Sequence, residues 1–422
     1  MSYLSIFEEI VSITNTDYAG FEEKKGWGKP EAYRGLIKRL EADHKLKPNK
    51  FADIVNDYLS DFQDHHLYFL LHGSESTKPQ TIGFQVRRKG DTLYVTDVQE
   101  ETRVKKGDTI KLIDGKTIPI IASEEVRLVG ERSYERQHWM PVLKGARNIE
   151  LGNGRILEMQ KYDRVEQKPV YQLKEINSET LLLIFSDFNH YEAIRDFIEE
   201  SKPKLRKAKN LIIDVRNNGG GNVHSVDELL PFLFKPGEKP SFDVPKREFN
   251  CTSRNVELFA KQVSEARSYQ IDSQTLEMLE SAPSTFESNK DKGFTEFDFS
   301  AYLQTLEKDF QGESYPLNVC ILTDNGCASA GEDFVRVAME SSKVTVIGRA
   351  TMGINDYSDL LQVSWNEEFS LYYPLSRARV KTEVDPIHGK GIKPHYYLEW
   401  SPEFILQDKD LELALEMLEV RI

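Results

Sequence analysis

Four short, nearly unbroken apolar runs constrain the fold of this chain more than any other feature: "TLLLIFSDF" from Thr180, "NLIIDVRNNGGGN" from Asn210, "LNVCILTDNG" from Leu317 and "KVTVIGRATMG" from Lys343. Each is too short for a helix and ends in a loop, as a strand buried on both faces does. Between the first two lies "EAIRDFIEESKPKLRKA", with helical spacing, and the third is again followed by a helix. Alternating strands and helices of this kind predict an α/β layer with a mostly parallel sheet. Functional loops of such sheets gather at the carboxyl ends of the strands, where "RNNGGGN" and "NGCASAG" fall.

Upstream the texture differs. Residues 1–76 read as a helical module, from "EAYRGLIKRLEADHKL" and "NKFADIVNDYLSDFQDHHLYFLL" separated by the break "KPN". Residues 77–168 hold short alternating runs around Gly turns, as in "KKGDTIKLIDGKTI", and read as a β-rich module. The remainder, 169–422, is the α/β core, interrupted at about 236–315 by a polar stretch read as an insertion or lid. At 422 residues the chain exceeds the size of one core, so a multidomain α/β protein is expected.

A net charge of −14 gives no footprint for nucleic acid, and no basic run suggests an anionic membrane surface. The N-terminus "MSYLSIFEEIVSITNTDYAG" has neither a cationic n-region nor a continuous apolar stretch, so a cytoplasmic chain is expected. The three cysteines, Cys251, Cys320 and Cys327, lack metal-ligand spacing, and neither a disulfide framework nor a metal site is expected.

Within "NGCASAGEDF", Ser329 stands between two alanines, directly before an amphipathic helix with Phe334, Val337 and Ala338 on one face. Two readings compete: a helix N-cap, for which Ser is among the commonest residues, or a nucleophile beside backbone oxyanion donors. The glycines of "RNNGGGN" permit positive φ and close backbone approach, as either a tight turn or an oxyanion cradle requires. This loop matches neither the phosphate-loop nor the dinucleotide pattern. "DFQDHHLYF" supplies adjacent histidines, His65 and His66, of which only one can face a given site in an extended segment.

"LIIDVRNNGGGN", "VCILTDNGCASAGEDF", "VIGRATMG" and "IHGKGIKPH" occur in that order, and together they resemble the tail-specific, or C-terminal processing, serine peptidase family. "TIGFQVRRKGDTLYVTDV" with "VKKGDTIKLIDGKTI" resembles the PDZ domain that precedes its catalytic core. The resemblance implies a ClpP/crotonase-like α/β catalytic core, hydrolysis of flexible or unfolded polypeptides, and no metal or organic cofactor. Its nucleophile falls on Ser329. In the best-known branch a lysine 25 residues later is the base, but Ile354 stands there. The tricorn-like branch uses the histidine of a DxH motif, which implies His66, and orients it by a glutamate near the C-terminus, where this chain has His388. A neutral histidine fixes a tautomer but supplies no charge for the imidazolium, so Asp385 or Glu383 are alternative sources of the carboxylate. The implied oxyanion donors are the N–H of Ala330 and one from the glycine loop, Gly220 first and Gly221 second. The readings left open beside the peptidase are a peptide-binding pseudo-peptidase, favoured by Ile354 and His388, and an acyl-CoA enzyme of the crotonase class. Substrate identity and oligomeric state are not legible.

Overall fold

The four apolar runs lie side by side. In the computed structural model, which describes residues 1–72, 80–130, 133–165, 167–241, 246–266, 282–297, 310–378 and 386–420, they form strands Thr180–Phe185, Asn210–Asp214, Asn318–Thr323 and Val344–Gly348, each parallel to the next. An antiparallel strand, Tyr171–Glu175, closes one edge, and the short parallel strand Tyr396–Tyr397 the other. The runs are unbroken because alternate residues face opposite layers, both of them dry. Leu181, Leu183, Leu211, Ile213, Val319 and Ile321 pack with helices Tyr191–Leu205 and Ala330–Ala338. Leu182, Ile212, Cys320, Leu322 and Ile347 pack with Ala414 and Leu418 of helix Lys409–Val420 on the other face.

The β-rich module folds as a second sheet, in the order Phe84–Lys89, Thr92–Val98, Thr109–Ile113, Asn148–Leu151 and Ile156–Glu158, around its own core with Trp139 and Leu143 at the centre. The turn that reverses the chain after Ile113 uses Asp114 and Gly115 at φ 47° and 76°, the left-handed pair a two-residue hairpin needs.

The N-terminal helices do not form a separate module. Tyr3–Thr16, Pro30–Ala42 and Pro48–Leu59 are broken where "KPN" places a proline at a helix start. Their apolar faces pack on a third sheet built from Tyr68–Leu71, Tyr357–Trp365, Phe369–Ala378, Arg247–Asn250 and Phe294–Glu296. Within the expected insertion, residues 246–266 and 282–297 therefore belong to this shared core: two segments supply strands, and helix Ser253–Ala266 packs beside them through Val256, Leu258 and Phe259, while Phe310 packs with the parallel-sheet core. A helix with one apolar stripe needs a partner layer. Here that layer comes from segments some 200 to 370 residues further along the chain, from Arg247 to Ala378. The helical pattern expected to run through "DFQDHHLYF" also stops earlier. Gln63, at φ 49°, ends the turn Ser60–Phe62, so the histidines sit in a loop before strand Tyr68–Leu71. Among the described residues no helix is long and apolar enough to cross a membrane.

Candidate active site

Strand Asn318–Thr323 delivers its chain to a loop that ends at Ser329, and helix Ala330–Ala338 starts on the next residue. Ser329 has φ 52° and ψ −124° and makes no side-chain capping hydrogen bond. A serine that caps a helix sits in the extended region with its oxygen on an N–H two or three residues ahead. Ser329 does neither; its hydroxyl has no hydrogen bond among the described residues, and its backbone is in a region a side chain occupies only at a cost of about 1–3 kcal/mol. A sharp turn of this kind between strand and helix holds its side chain out from its own backbone. Small neighbours make it fit. A Cβ at Gly331 would stand 3.0 Å from the Asn218 carbonyl, and one at Gly220 would stand 2.6 Å from Ser329 Cβ and 3.1 Å from the Ala330 nitrogen.

The glycine loop thus lies directly against the serine. Gly220 is at φ 101° and Gly221 at φ 137°. The Gly220 N–H donates to Asn218 Oδ1 at 3.0 Å, so the first-choice oxyanion donor is already engaged. The N–H groups of Gly219, Gly221 and Ala330 have no acceptor among the described residues. Cys327, two residues before Ser329, is fully buried; burial and the charges of Glu332, Asp324 and Asp214 push its thiol far up, which keeps it protonated and inert.

Glu332, one turn into the helix, was not singled out from the sequence. Its buried carboxylate accepts from Thr351 Oγ1 at 2.6 Å and from the N–H groups of Gly353, Ile354 and Asn355 at 2.6, 2.9 and 3.2 Å. It clamps the segment bearing Ile354, whose side chain is buried. Behind the strand ends, Asp324 is held between Arg87 and Arg349, and Arg349 reaches on to Asp410. Burial pushes the Asp324 carboxyl up, yet the two guanidiniums more than offset it and hold it below the usual range.

The two histidines are placed differently. His66 is buried; its backbone N–H donates to Asp64 Oδ1 at 2.9 Å, and its ring Nδ1 lies 2.6 Å from the backbone carbonyl of Tyr357. That contact requires a proton on Nδ1 and leaves Nε2 with its lone pair. His65 is exposed and lines a cleft of about 1210 Å³ between helix Pro48–Leu59 and the β-rich module, together with Arg136, His138, Ile354 and His388. Neither histidine is hydrogen-bonded to Ser329.

His388 does not orient His66; the Tyr357 carbonyl holds the nitrogen that an orienting group would take. The His388 N–H donates to Asp356 Oδ2 at 2.8 Å, its ring meets Tyr357 edge-on, and its buried Nδ1 has no partner among the described residues. Burial, with the Lys24 charge next, lowers it to about 4, so it is neutral near pH 7. Asp385 and Glu383, the alternative carboxylates, lie outside the described residues. Among those described, no cluster of three or more His, Cys, Asp or Glu side chains is arranged to hold a metal ion.

No curated protein matches this sequence. Among solved structures, mature CPAF complexed with lactacystin superposes with a TM-score of 0.65 at 13% identity, over 99% of this chain and 98% of that one. Mature CPAF alone gives 0.60 at 13% identity, over 99% and 96%. The photosystem II D1 C-terminal processing protease gives 0.44 at 15%, over 99% and 97%. Peptidase family S41 matches residues 179–398, more than half of the chain and the whole stretch from the first apolar run through the glycine loop, Ser329 and His388. The chain belongs to peptidase family S41, as a serine-type peptidase.

Proposed function

We propose that this chain is a serine endopeptidase that cleaves flexible or unfolded polypeptides, with Ser329 as nucleophile and His66 as general base. The carrying observation is the backbone of Ser329, at φ 52° and ψ −124° on the first residue before a helix, with its hydroxyl uncommitted. His66 Nε2 takes the Ser329 proton as the oxygen attacks the scissile carbonyl, and the imidazolium returns it to the leaving amine. Water then hydrolyses the acyl-enzyme by the same route. The oxyanion sits on the Ala330 N–H, aided by the positive end of the helix, and on an N–H of the glycine loop. Because Gly220 donates to Asn218, Gly219 or Gly221 is the better second donor.

The base assignment draws on the tautomer: an imidazole whose Nδ1–H donates to the Tyr357 carbonyl presents Nε2 as an acceptor. The β-rich module acts as a PDZ-like domain that takes a substrate segment as an added strand. The test is reaction with a fluorophosphonate probe followed by peptide mass spectrometry. Labelling confined to Ser329, abolished in Ser329→Ala and His66→Ala and kept in His65→Ala, is expected. Unlabelled Ser329 in folded protein refutes the nucleophile; labelling that persists in His66→Ala but fails in His65→Ala moves the base to its neighbour.

A further inference from the structure

The structure leaves the proposed base without the carboxylate on Nδ1 that stabilises an imidazolium, and it places a buried ion pair beside the same histidine. Asp64 Oδ1 accepts the backbone N–H of His66 at 2.9 Å, and Oδ2 accepts the Tyr18 hydroxyl at 2.5 Å. Lys24 Nζ lies 3.7 Å from Asp64 Oδ2, with side-chain exposures of 2% and 0%. The same ammonium stands 4.4 Å from the centre of the Tyr357 ring, whose carbonyl holds His66 Nδ1.

We infer that Asp64 and Lys24 are positioning residues for His66, Asp64 fixing the histidine turn and supplying the negative charge that the imidazolium needs, and Lys24 setting how much of that charge is felt. The inference rests on the reading of His66 as base. A buried ion pair is weak support for stability, since desolvating two charges offsets most of their attraction. Among the described residues Lys24 Nζ makes no hydrogen bond, which deepens that cost. A pair kept at such expense against the loop that carries the base has a natural use in catalysis. Burial raises the Asp64 carboxyl, but Lys24, His66 and the Tyr18 hydroxyl together outweigh it and hold it below the usual carboxylate range. The other charged or titratable groups turned toward this turn are Glu23, His65, Arg136, Asp356 and His388. His388 is neutral and Arg136 is taken by the carbonyls of Thr351 and Met352. Asp64 is the carboxylate bonded to the histidine turn itself.

The test is the pH profile of the rate of fluorophosphonate labelling, which needs no known substrate. Asp64→Asn keeps an oxygen for the His66 N–H and removes the charge. Its maximal rate is expected to fall about tenfold and its acid limb to move to lower pH by about one unit, the size of shift a nearby opposite charge produces. Lys24→Met removes the opposing charge and is expected to move the limb the other way. A structural role alone lowers the labelled fraction without displacing the limb. Should Asp64→Asn fail to fold by circular dichroism, the double variant Lys24→Met, Asp64→Asn, which removes both buried charges, is compared with Lys24→Met: loss of the Asp64 charge on that background is expected to place its limb about one unit below that of the single variant. An unmoved limb in folded variants, with labelling still lost in His66→Ala, overturns the inference and leaves the base in place. Labelling of His66→Ala at the wild-type rate overturns both.

Discussion

Replacing Ser329 by glycine and by alanine separates a strained nucleophile from a helix cap on stability alone. In the structure Ser329 is at φ 52°, ψ −124° and its hydroxyl caps nothing. Alanine keeps the Cβ, and with it the strain, and removes only an oxygen without a hydrogen bond, so its stability should stay within about 0.5 kcal/mol of wild type. Glycine removes the Cβ and relieves about 1–3 kcal/mol of backbone strain. Against that stands about 0.5–1 kcal/mol for the extra freedom of glycine in the unfolded chain, leaving a net gain of about 1 kcal/mol. The assay is the urea midpoint, read by two probes whose transitions coincide, with equal slopes, so that a midpoint change reports stability. The expected order is glycine above wild type and alanine level with it, while both abolish labelling. A cap gives the opposite order: alanine loses about 0.5–2 kcal/mol, glycine a few tenths, and neither exceeds wild type. Finding that order refutes the strain argument, whatever the activity.

Glu332→Ala strands the Thr351 hydroxyl and three N–H groups in a buried site; at about 1–3 kcal/mol for each unpaired group, partly relaxed by water, a loss of about 3 kcal/mol is expected. Amide exchange of residues 351–355 should rise with it, and unchanged protection there would show that the clamp does not hold the segment. His388 is lowered by burial, with Lys24 next, to about 4 in the folded chain. The unfolded chain therefore binds a proton below about pH 6.5 that the folded one refuses until about pH 4, and stability falls across that window by about 3 kcal/mol. In His388→Gln this part of the acid sensitivity should vanish, so the gap in urea midpoint between the two proteins should change between pH 7 and pH 4.5; a constant gap would contradict it.

The parallel sheet was legible because burial on both faces erases alternation. Leu181, Leu182 and Leu183 face opposite layers in turn, yet all are apolar, and such runs joined by helices have few other solutions. The hairpin at Asp114 and Gly115 was legible for a local reason, since few residue pairs take two left-handed conformations in succession. The layer beneath the N-terminal helices was not. Phe7, Phe51 and Tyr58 announce apolar stripes, but their partners Phe369, Leu371 and Tyr373 lie more than 300 residues away, and nothing local records that pairing. Reading the segment near 236–315 as an insertion failed in the same way, because Arg247–Phe249 pairs with Ser376–Ala378 through a register that only the folded chain displays.

At the site, the serine and the glycine loop were legible because their demands are local: small flanks, and glycines where a Cβ would collide. What joins the serine to the proposed base was not, because it is a relay through three separate segments. Three residues beyond Ser329, Glu332 binds the N–H groups of Gly353, Ile354 and Asn355; two residues further on, the carbonyl of Tyr357 holds His66 Nδ1. Ser329 is carried by the parallel sheet, while His66 precedes the first strand of the sheet shared with the N-terminal helices. The distance between serine and histidine is therefore a relation between two separate cores, and the segment from Thr351 to Tyr357 is a covalent bridge between them. In a branch with a lysine in this segment, the bridge carries the base itself. Here Ile354 packs inward, and the same bridge instead presents a carbonyl that sets the tautomer of a histidine from elsewhere. A lysine and a histidine are on this view two uses of one loop, which Glu332 fixes here.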